Sequence, residues 1–237
     1  MKLTVVGCSP AWPNPGSAQS GYLVEHEGRL LLDCGPGVLA RLRESEGWPN
    51  VDAIVITHFH LDHWGDIVPW AWGAMFGPGR EARRPELWIP PGGNELLRAF
   101  ASRLGVSEMW DVFDVREYKD GTAFQAAGLE VTPMRLPHYE QLTFGLRVSN
   151  GAQSLAYSGD SAPSDRLAEL ARDADLFLCE AALAEPEPDL RGHLTADEAV
   201  AAFHASGARR LLVIHRPHEL ALDSELERAY DGYEITL

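Results

Sequence analysis

Ala53-Ile54-Val55-Ile56-Thr57-His58-Phe59-His60-Leu61-Asp62-His63 decides how this chain is read. The first five residues are apolar or β-branched, the composition of a buried strand, and the six that follow hold three imidazoles and a carboxylate. Ligand-type side chains therefore stand at the C-terminal end of a strand, where α/β folds usually place their chemistry. Residues two apart on an extended chain share a face, so His58 and His60 point one way. Asp62 and His63 fall beyond the strand and turn back toward the same point as a helix begins. Neutral imidazole suits zinc and other borderline cations, and a nearby carboxylate adds the negative charge that holds a second divalent ion.

Working outward, 237 residues with 45% hydrophobic content can bury a full core. No linker-like stretch interrupts the alternation of strand and helix patterns, which favours one continuous α/β body over residues 1–237. Met1-Lys2-Leu3-Thr4-Val5-Val6 runs straight into a strand pattern and no apolar stretch reaches roughly 18 residues, so the expectation is a cytoplasmic protein with neither leader nor membrane span. Cys8, Cys34 and Cys179 each lie in or beside an apolar run, which fits reduced buried thiols better than a disulfide framework. A net charge of -15 speaks against broad attraction to nucleic acid while leaving small anionic substrates open.

Before the histidine cluster, Leu3 to Gly7 reads as a strand, Ser9 to Ser20 as a loop, and Tyr22 to Leu32 as a hairpin turning at Glu25-His26-Glu27-Gly28, with His26 solvated. Asp33 ends that hairpin. By its position it could cap a helix starting near Pro36. After the cluster, Trp64 to Phe76 carries four aromatics interrupted by Pro69 and Gly73, too broken for a long regular helix and suited either to walling a pocket or to core packing. Gly77 to Pro85 is the one locally basic, breaker-rich stretch. Its Arg80, Arg83 and Arg84 read as a solvated loop, with closure over an anionic substrate as the functional alternative. Leu87 to Pro90, Asn94 to Leu104, Val112 to Tyr118 and Leu129 to Met134 read as strand, helix, strand and strand.

Three later apolar runs also end in ligand types. Glu130 to Pro137 leads to His138, Ser154 to Gly159 leads to Asp160, and Arg210 to Ile214 leads to His215. Together with His58-x-His60-x-Asp62-His63, these residues resemble the metallo-β-lactamase-fold hydrolases in order and local context. The resemblance implies an α/β fold, the αββα sandwich of that family, and two divalent ions, zinc first and manganese second. It further implies His58, His60 and His138 on one ion, Asp62, His63 and His215 on the other, and Asp160 bridging. It gives Asp33 the role of supporting the metal-binding loop. Ions roughly 3.5 to 4 Å apart clamp the oxygens of a displacement, which makes hydrolysis the chemistry, with Asp62 orienting the attacking water.

Finer points select a branch. Cysteine-using β-lactamases place Cys where this chain has Asp160, and Leu136-Pro137-His138-Tyr139-Glu140 departs from the turn of glyoxalase-type and lactonase-type members. Tyr157-Ser158-Gly159-Asp160, Asp175 to Glu180 and Gly192-His193-Leu194-Thr195 resemble the tRNA 3′-processing ribonuclease branch and its small phosphodiesterase relatives. That likeness implies His193 as the general acid, tuned by Glu180, against the plainer alternative of a helix-entry histidine before the N-cap Thr195. His218 is near enough to His215 in sequence to touch substrate. Only 22 positions separate His138 from Asp160, filled by a hairpin over Thr143 to Ala156, which leaves no room for the basic arm of the tRNA-processing enzymes. The resulting expectation is a binuclear phosphodiesterase acting on a small anionic phosphodiester such as a cyclic nucleotide, with no membrane partner, nucleic acid disfavoured and a homodimer left open. A tRNA 3′-endonuclease, a lactone or thioester hydrolase, and a non-catalytic metal-binding scaffold are the rivals.

Overall fold

Side chains alternate faces along a strand, and in this chain successive residues enter different cores. The computed structural model describes residues 1–237. Strands β1 (Lys2–Gly7), β2 (Gly21–Glu25), β3 (Arg29–Leu32), β4 (Ala53–Val55), β5 (Glu86–Ile89) and β6 (Asp114–Glu117) lie side by side in one sheet. Strands β7 (Phe124–Ala126), β8 (Leu129–Leu136), β9 (Thr143–Ser149), β10 (Ser154–Tyr157), β11 (Leu176–Glu180) and β12 (Leu211–Ile214) form a second sheet in the order β12-β11-β10-β9-β8-β7, and β13 (Glu234–Thr236) returns to pair with β1. Tyr22, Val24, Leu30, Leu32, Ala53 and Val55 from the first sheet meet Leu155, Tyr157, Leu176, Leu178, Leu212 and Ile214 from the second in a shared core.

The intervening residues face outward onto helices. Leu23, Leu31, Ile54 and Ile56 pack against α1 (Val38–Ser45), α3 (Ile67–Phe76) and α4 (Gly93–Leu104). Ala156, Phe177, Cys179 and Val213 pack against α5 (Asp165–Leu170) and α6 (Ala196–Ser206). Helix, sheet, sheet and helix thus form four layers, the αββα sandwich. No helix is long and apolar enough to cross a membrane. All three cysteines are buried and unpaired.

Strand direction collects the chemistry at one edge. Strands β10, β11 and β12 are mutually parallel, and β8 runs the same way because two antiparallel pairings separate it from β10. Their C-terminal ends deliver His138, Asp160, Glu180 and His215 together. In the first sheet β3 and β4 are parallel, so Asp33 and Thr57-His58 emerge side by side.

Two elements differ from the sequence reading. Ile67 to Phe76 is a continuous ten-residue helix. Pro69 lies in its first turn, where a missing N–H costs nothing, and Gly73 lets Trp48 approach so closely that an added Cβ would lie 2.2 Å from its ring. Trp64 and Trp70 are core residues, T-shaped against Phe100 and Trp48 respectively, so this stretch packs the core more than it walls a pocket. The strand expected from Val112 is shorter, because Met109–Val112 forms a 3-10 turn before β6 begins at Asp114.

Candidate metal centre

The strand β4 ends three residues before His58, and a four-residue helix, α2 (Leu61–Trp64), turns Asp62 and His63 back beneath it. Around this turn the later strands close a ring. His58, His60, His138 and Asp160 offer ligand atoms that all lie within 4.8 Å of one another, and so do Asp62, His63, Asp160 and His215. Asp160 belongs to both groups. Its Oδ1 is 3.2 Å from His63 Nε2, and its Oδ2 is 3.8, 3.9 and 3.5 Å from the Nε2 atoms of His58, His138 and His215. Asp62 Oδ2 lies 3.4 Å from His63 Nε2 and 3.7 Å from His215 Nε2.

Four imidazoles are aimed by a hydrogen bond at Nδ1, which leaves Nε2 free to face the centre. The partners are Thr57 Oγ1 for His58 at 3.0 Å, Asp33 Oδ2 for His63 at 2.7 Å, the Gly192 carbonyl for His138 at 2.6 Å and Ser20 Oγ for His215 at 3.3 Å. His60 instead presents Nδ1, 3.0 Å from His138 Nε2. Nε2 of His58 and His63, Oδ2 of Asp62 and both oxygens of Asp160 are buried without a hydrogen-bond partner. Stranded buried acceptors cost about 1–3 kcal/mol each, so this convergence of lone pairs fits divalent cations and is otherwise expensive.

Electrostatics agrees with that fit. Burial lowers the basicity of His58, His60, His138 and His215, which keeps them neutral and available as ligands. Burial acts the same way on His63, but Asp160, Asp33 and Asp62 outweigh it and push it well above the usual range, so a cation there competes with a proton. Asp160 is destabilised by burial yet held well below the usual carboxylate range by the imidazoles around it, of which His63 favours its charged form.

Asp33 occupies the middle of the supporting network, fully buried and with φ 58°. It accepts from the Thr57 N–H at 2.7 Å, the Thr57 hydroxyl at 2.9 Å, His63 Nδ1 at 2.7 Å and the Tyr157 hydroxyl at 2.6 Å. It does not cap α1, whose N-cap is Gly37 without a side-chain bond.

His193 stands at the open side, its ring centre 5.6 Å from that of His215 and nearly parallel to it, with Nδ1 2.9 Å from Glu180 Oε1 and 4.0 Å from Asp160 Oδ2. Glu180 also accepts from the N–H groups of Ser161, Ala182 and Leu194, so its position is fixed. Burial disfavours the charged imidazole, but Glu180 at hydrogen-bond distance and the nearby Asp160 raise His193 to about 9. Behind it Thr195 and Glu198 form a capping box at the start of α6, which anchors the loop carrying His193.

Four residues singled out in the sequence stand outside these ligand groups. Arg83 pairs with Asp52 at 2.5 Å, and Asp52 immediately precedes the N-terminal end of β4, opposite the end that bears His58. Since β5 runs parallel to β4 with Ala53 beside Glu86, the whole loop carrying Arg80, Arg83 and Arg84 emerges at that far edge, against Trp48. This removes the reading of the loop as a lid. The His218 side chain is exposed and paired with Glu219, 3.2 Å away. Conversely, Thr57, Tyr157 and Ser20 touch or orient the cluster residues, and nothing in their sequence context marks them apart from adjacency to His58 and to Ser158-Gly159-Asp160 for the first two.

Comparison with known proteins agrees with this geometry. Residues 28–216 match the beta-lactamase superfamily domain. An uncharacterized protein of Mycobacterium tuberculosis is 33% identical, covering 98% of this chain and 88% of its own. The probable metallo-hydrolase YhfI of Bacillus subtilis is 28% identical over 92% of this chain and 88% of its own, and a crystal structure of YhfI superposes with a TM-score of 0.85 at 23% identity over 99% of each chain. Ribonuclease Z of Archaeoglobus fulgidus is 25% identical, covering 100% of this chain and 94% of its own. With two sheets between helical layers and His/Asp clusters at the strand ends, the chain belongs to the beta-lactamase superfamily, as a hydrolase of the metallo-β-lactamase fold.

Proposed function

We propose that the protein is a binuclear phosphodiesterase that hydrolyses a small phosphodiester, a cyclic nucleotide being the class best suited. His58, His60 and His138 would hold one divalent ion, Asp62, His63 and His215 the other, and Asp160 both. Zinc or manganese held there would acidify water and neutralise charge on the phosphoryl oxygens. The observation that carries the reading is His193, a hydrogen-bonded, part-exposed imidazole beside both clusters and raised to about 9.

An imidazolium at that position is an acid at neutral pH. When water adds to phosphorus and an ester P–O bond breaks, the departing oxygen carries a developing charge that a proton from His193 neutralises, while Glu180 stabilises the imidazolium before transfer. Thioesters release a thiolate, which leaves more readily and needs this proton less. The kinship with ribonuclease Z, by its name a phosphodiester-cleaving enzyme, supports the same class. Between His138 and Asp160 the chain forms only β9, β10 and their short turn, which offers no extended basic arm for a tRNA.

Turnover of a panel containing 3′,5′-cyclic nucleotides, a tRNA precursor, a lactone and a thioester by the zinc- or manganese-loaded protein tests the proposal. The expected outcome is cyclic-nucleotide hydrolysis at the highest kcat/KM. Preference for the thioester or lactone would overturn it.

A further inference from the structure

Tyr139 follows His138 with its backbone in the left-handed region, at φ 48°, a costly conformation for an aromatic residue. Three contacts hold it there. Its N–H donates to the Arg191 carbonyl at 3.0 Å, its hydroxyl to Glu187 Oε1 at 2.5 Å, and its ring packs on Gly192, where an added Cβ would come within 2.0 Å of it. The other oxygen of Glu187 accepts from the Gly192 N–H at 2.9 Å, which closes the latch. Yet the residue is 37% exposed and belongs to none of the three cores. Its centre lies 5.0 Å from that of His138 and 5.7 Å from that of His193.

Rigid fixing of an exposed ring beside a reaction centre does little for stability, whereas it prepays the ordering cost of a contact with a ligand. If His193 protonates the leaving oxygen, whatever skeleton that oxygen belongs to lies beside this ring. The charged groups on that side are already engaged: Arg191 is paired with Glu198 at 2.7 and 2.8 Å, and Glu187 accepts from Tyr139 and Gly192. What the mouth offers there is a flat aromatic surface, with Leu190 also exposed on the latched segment. Aromatic faces accept any planar group and stack on nucleobases with little regard to sequence.

We infer that Tyr139 is a specificity-determining residue, forming a subsite for a planar aromatic group, a nucleobase or an aryl ring, on the leaving-group side of the diester. The inference rests on the phosphodiesterase reading above and adds the chemical class of the substituent.

The test compares 3′,5′-cyclic adenosine monophosphate with the base-free ribose 3′,5′-cyclic phosphate, using the metal-loaded wild type, Tyr139→Phe and Tyr139→Leu. The wild type should favour the base-bearing substrate by about 5- to 150-fold in kcat/KM, mainly through KM. Tyr139→Phe keeps the ring and should keep most of that preference, while Tyr139→Leu should lose it with metal content intact. Should Tyr139→Leu fail to fold, Gly192→Ala, whose methyl displaces the ring, must show the same loss. An undiminished preference in Tyr139→Leu overturns the inference, as does an equal fall on both substrates, which would make the ring a positioning group for His193. Calorimetric binding of adenosine 5′-monophosphate, compared between wild type and Tyr139→Leu, separates the two readings. If neither diester is hydrolysed but the nucleotide binds the wild type more tightly, the phosphodiesterase reading falls and the subsite stands. Equal binding removes the subsite.

Discussion

Replacing Asp33 by Asn is nearly isosteric, and the structure dictates what it must break. Oδ1 accepts the Thr57 N–H, while Oδ2 accepts His63 Nδ1 and the Tyr157 hydroxyl. An amide has one oxygen to give. If it takes the Oδ1 place, the amide NH2 faces His63 Nδ1 and the hydroxyl of Tyr157. The ring can then satisfy it only by carrying its own proton on Nε2, the atom aimed at Asp160 and Asp62. If the oxygen takes the Oδ2 place, the NH2 confronts the Thr57 N–H inside a fully buried site, an unmade bond worth about 1–3 kcal/mol. The first outcome removes a ligand lone pair, and losses of support of this kind weaken metal binding about 10- to 100-fold. Calorimetric zinc titration should therefore show one of two sites weakened by that factor, and urea unfolding should show stability lowered by up to about 3 kcal/mol if the second arrangement contributes. Two sites of wild-type affinity together with an unchanged urea midpoint would refute the network.

Asp160→Ala should leave at most one tightly bound ion by metal analysis, since Asp160 alone lies in both clusters; two tight ions would remove it from the bridge. With His193 raised to about 9, the competent imidazolium is present below that pH, so kcat/KM for a diester with a poor leaving group should fall about tenfold per unit as pH rises beyond 9, and His193→Ala should lack this limb. Neutralising Arg80, Arg83 and Arg84 together should leave KM for a cyclic nucleotide unchanged because their loop lies at the far end of β4; a several-fold rise would contradict that placement.

The alternation of strands and helices and the placing of ligand types at strand ends were legible from periodicity, whereas the αββα layering came from the resemblance to the metallo-β-lactamase fold. Each of His58, His138, Asp160 and His215 closes an apolar run, and parallel pairing of β10, β11 and β12 brings such ends to one edge. Pro69 and Gly73 misled because their sequence signal is the same whether they break a helix or occupy, as here, its first turn and a contact with Trp48. The sequence left the basic loop open between solvated surface and closure over substrate for a related reason: charge composition is local, but which end of β4 it faces depends on the register of Ala53 with Glu86. Ser20 left no trace in the sequence because its contact with His215 spans the chain, and Thr57, Tyr157 and Tyr139 showed only as neighbours of motif residues, since much of their role lies in distant contacts such as the hydroxyl of Tyr157 on Asp33.

The central claim is that a chain-borne proton, supplied by His193, completes the hydrolysis of a phosphodiester. Its importance must then scale with how badly the leaving oxygen needs that proton. The decisive measurement is kcat for wild type and His193→Ala on a cyclic nucleotide and on a nitrophenyl diester, with metal content checked in both proteins. The cyclic nucleotide loses a poor alkoxide leaving group and should slow by about 100- to 10,000-fold, whereas the nitrophenolate departs unaided and should slow far less. Equal losses on both substrates with metals intact would contradict the account and make His193 a charge-stabilising or positioning group, and no loss on either would reduce it to a histidine that precedes α6.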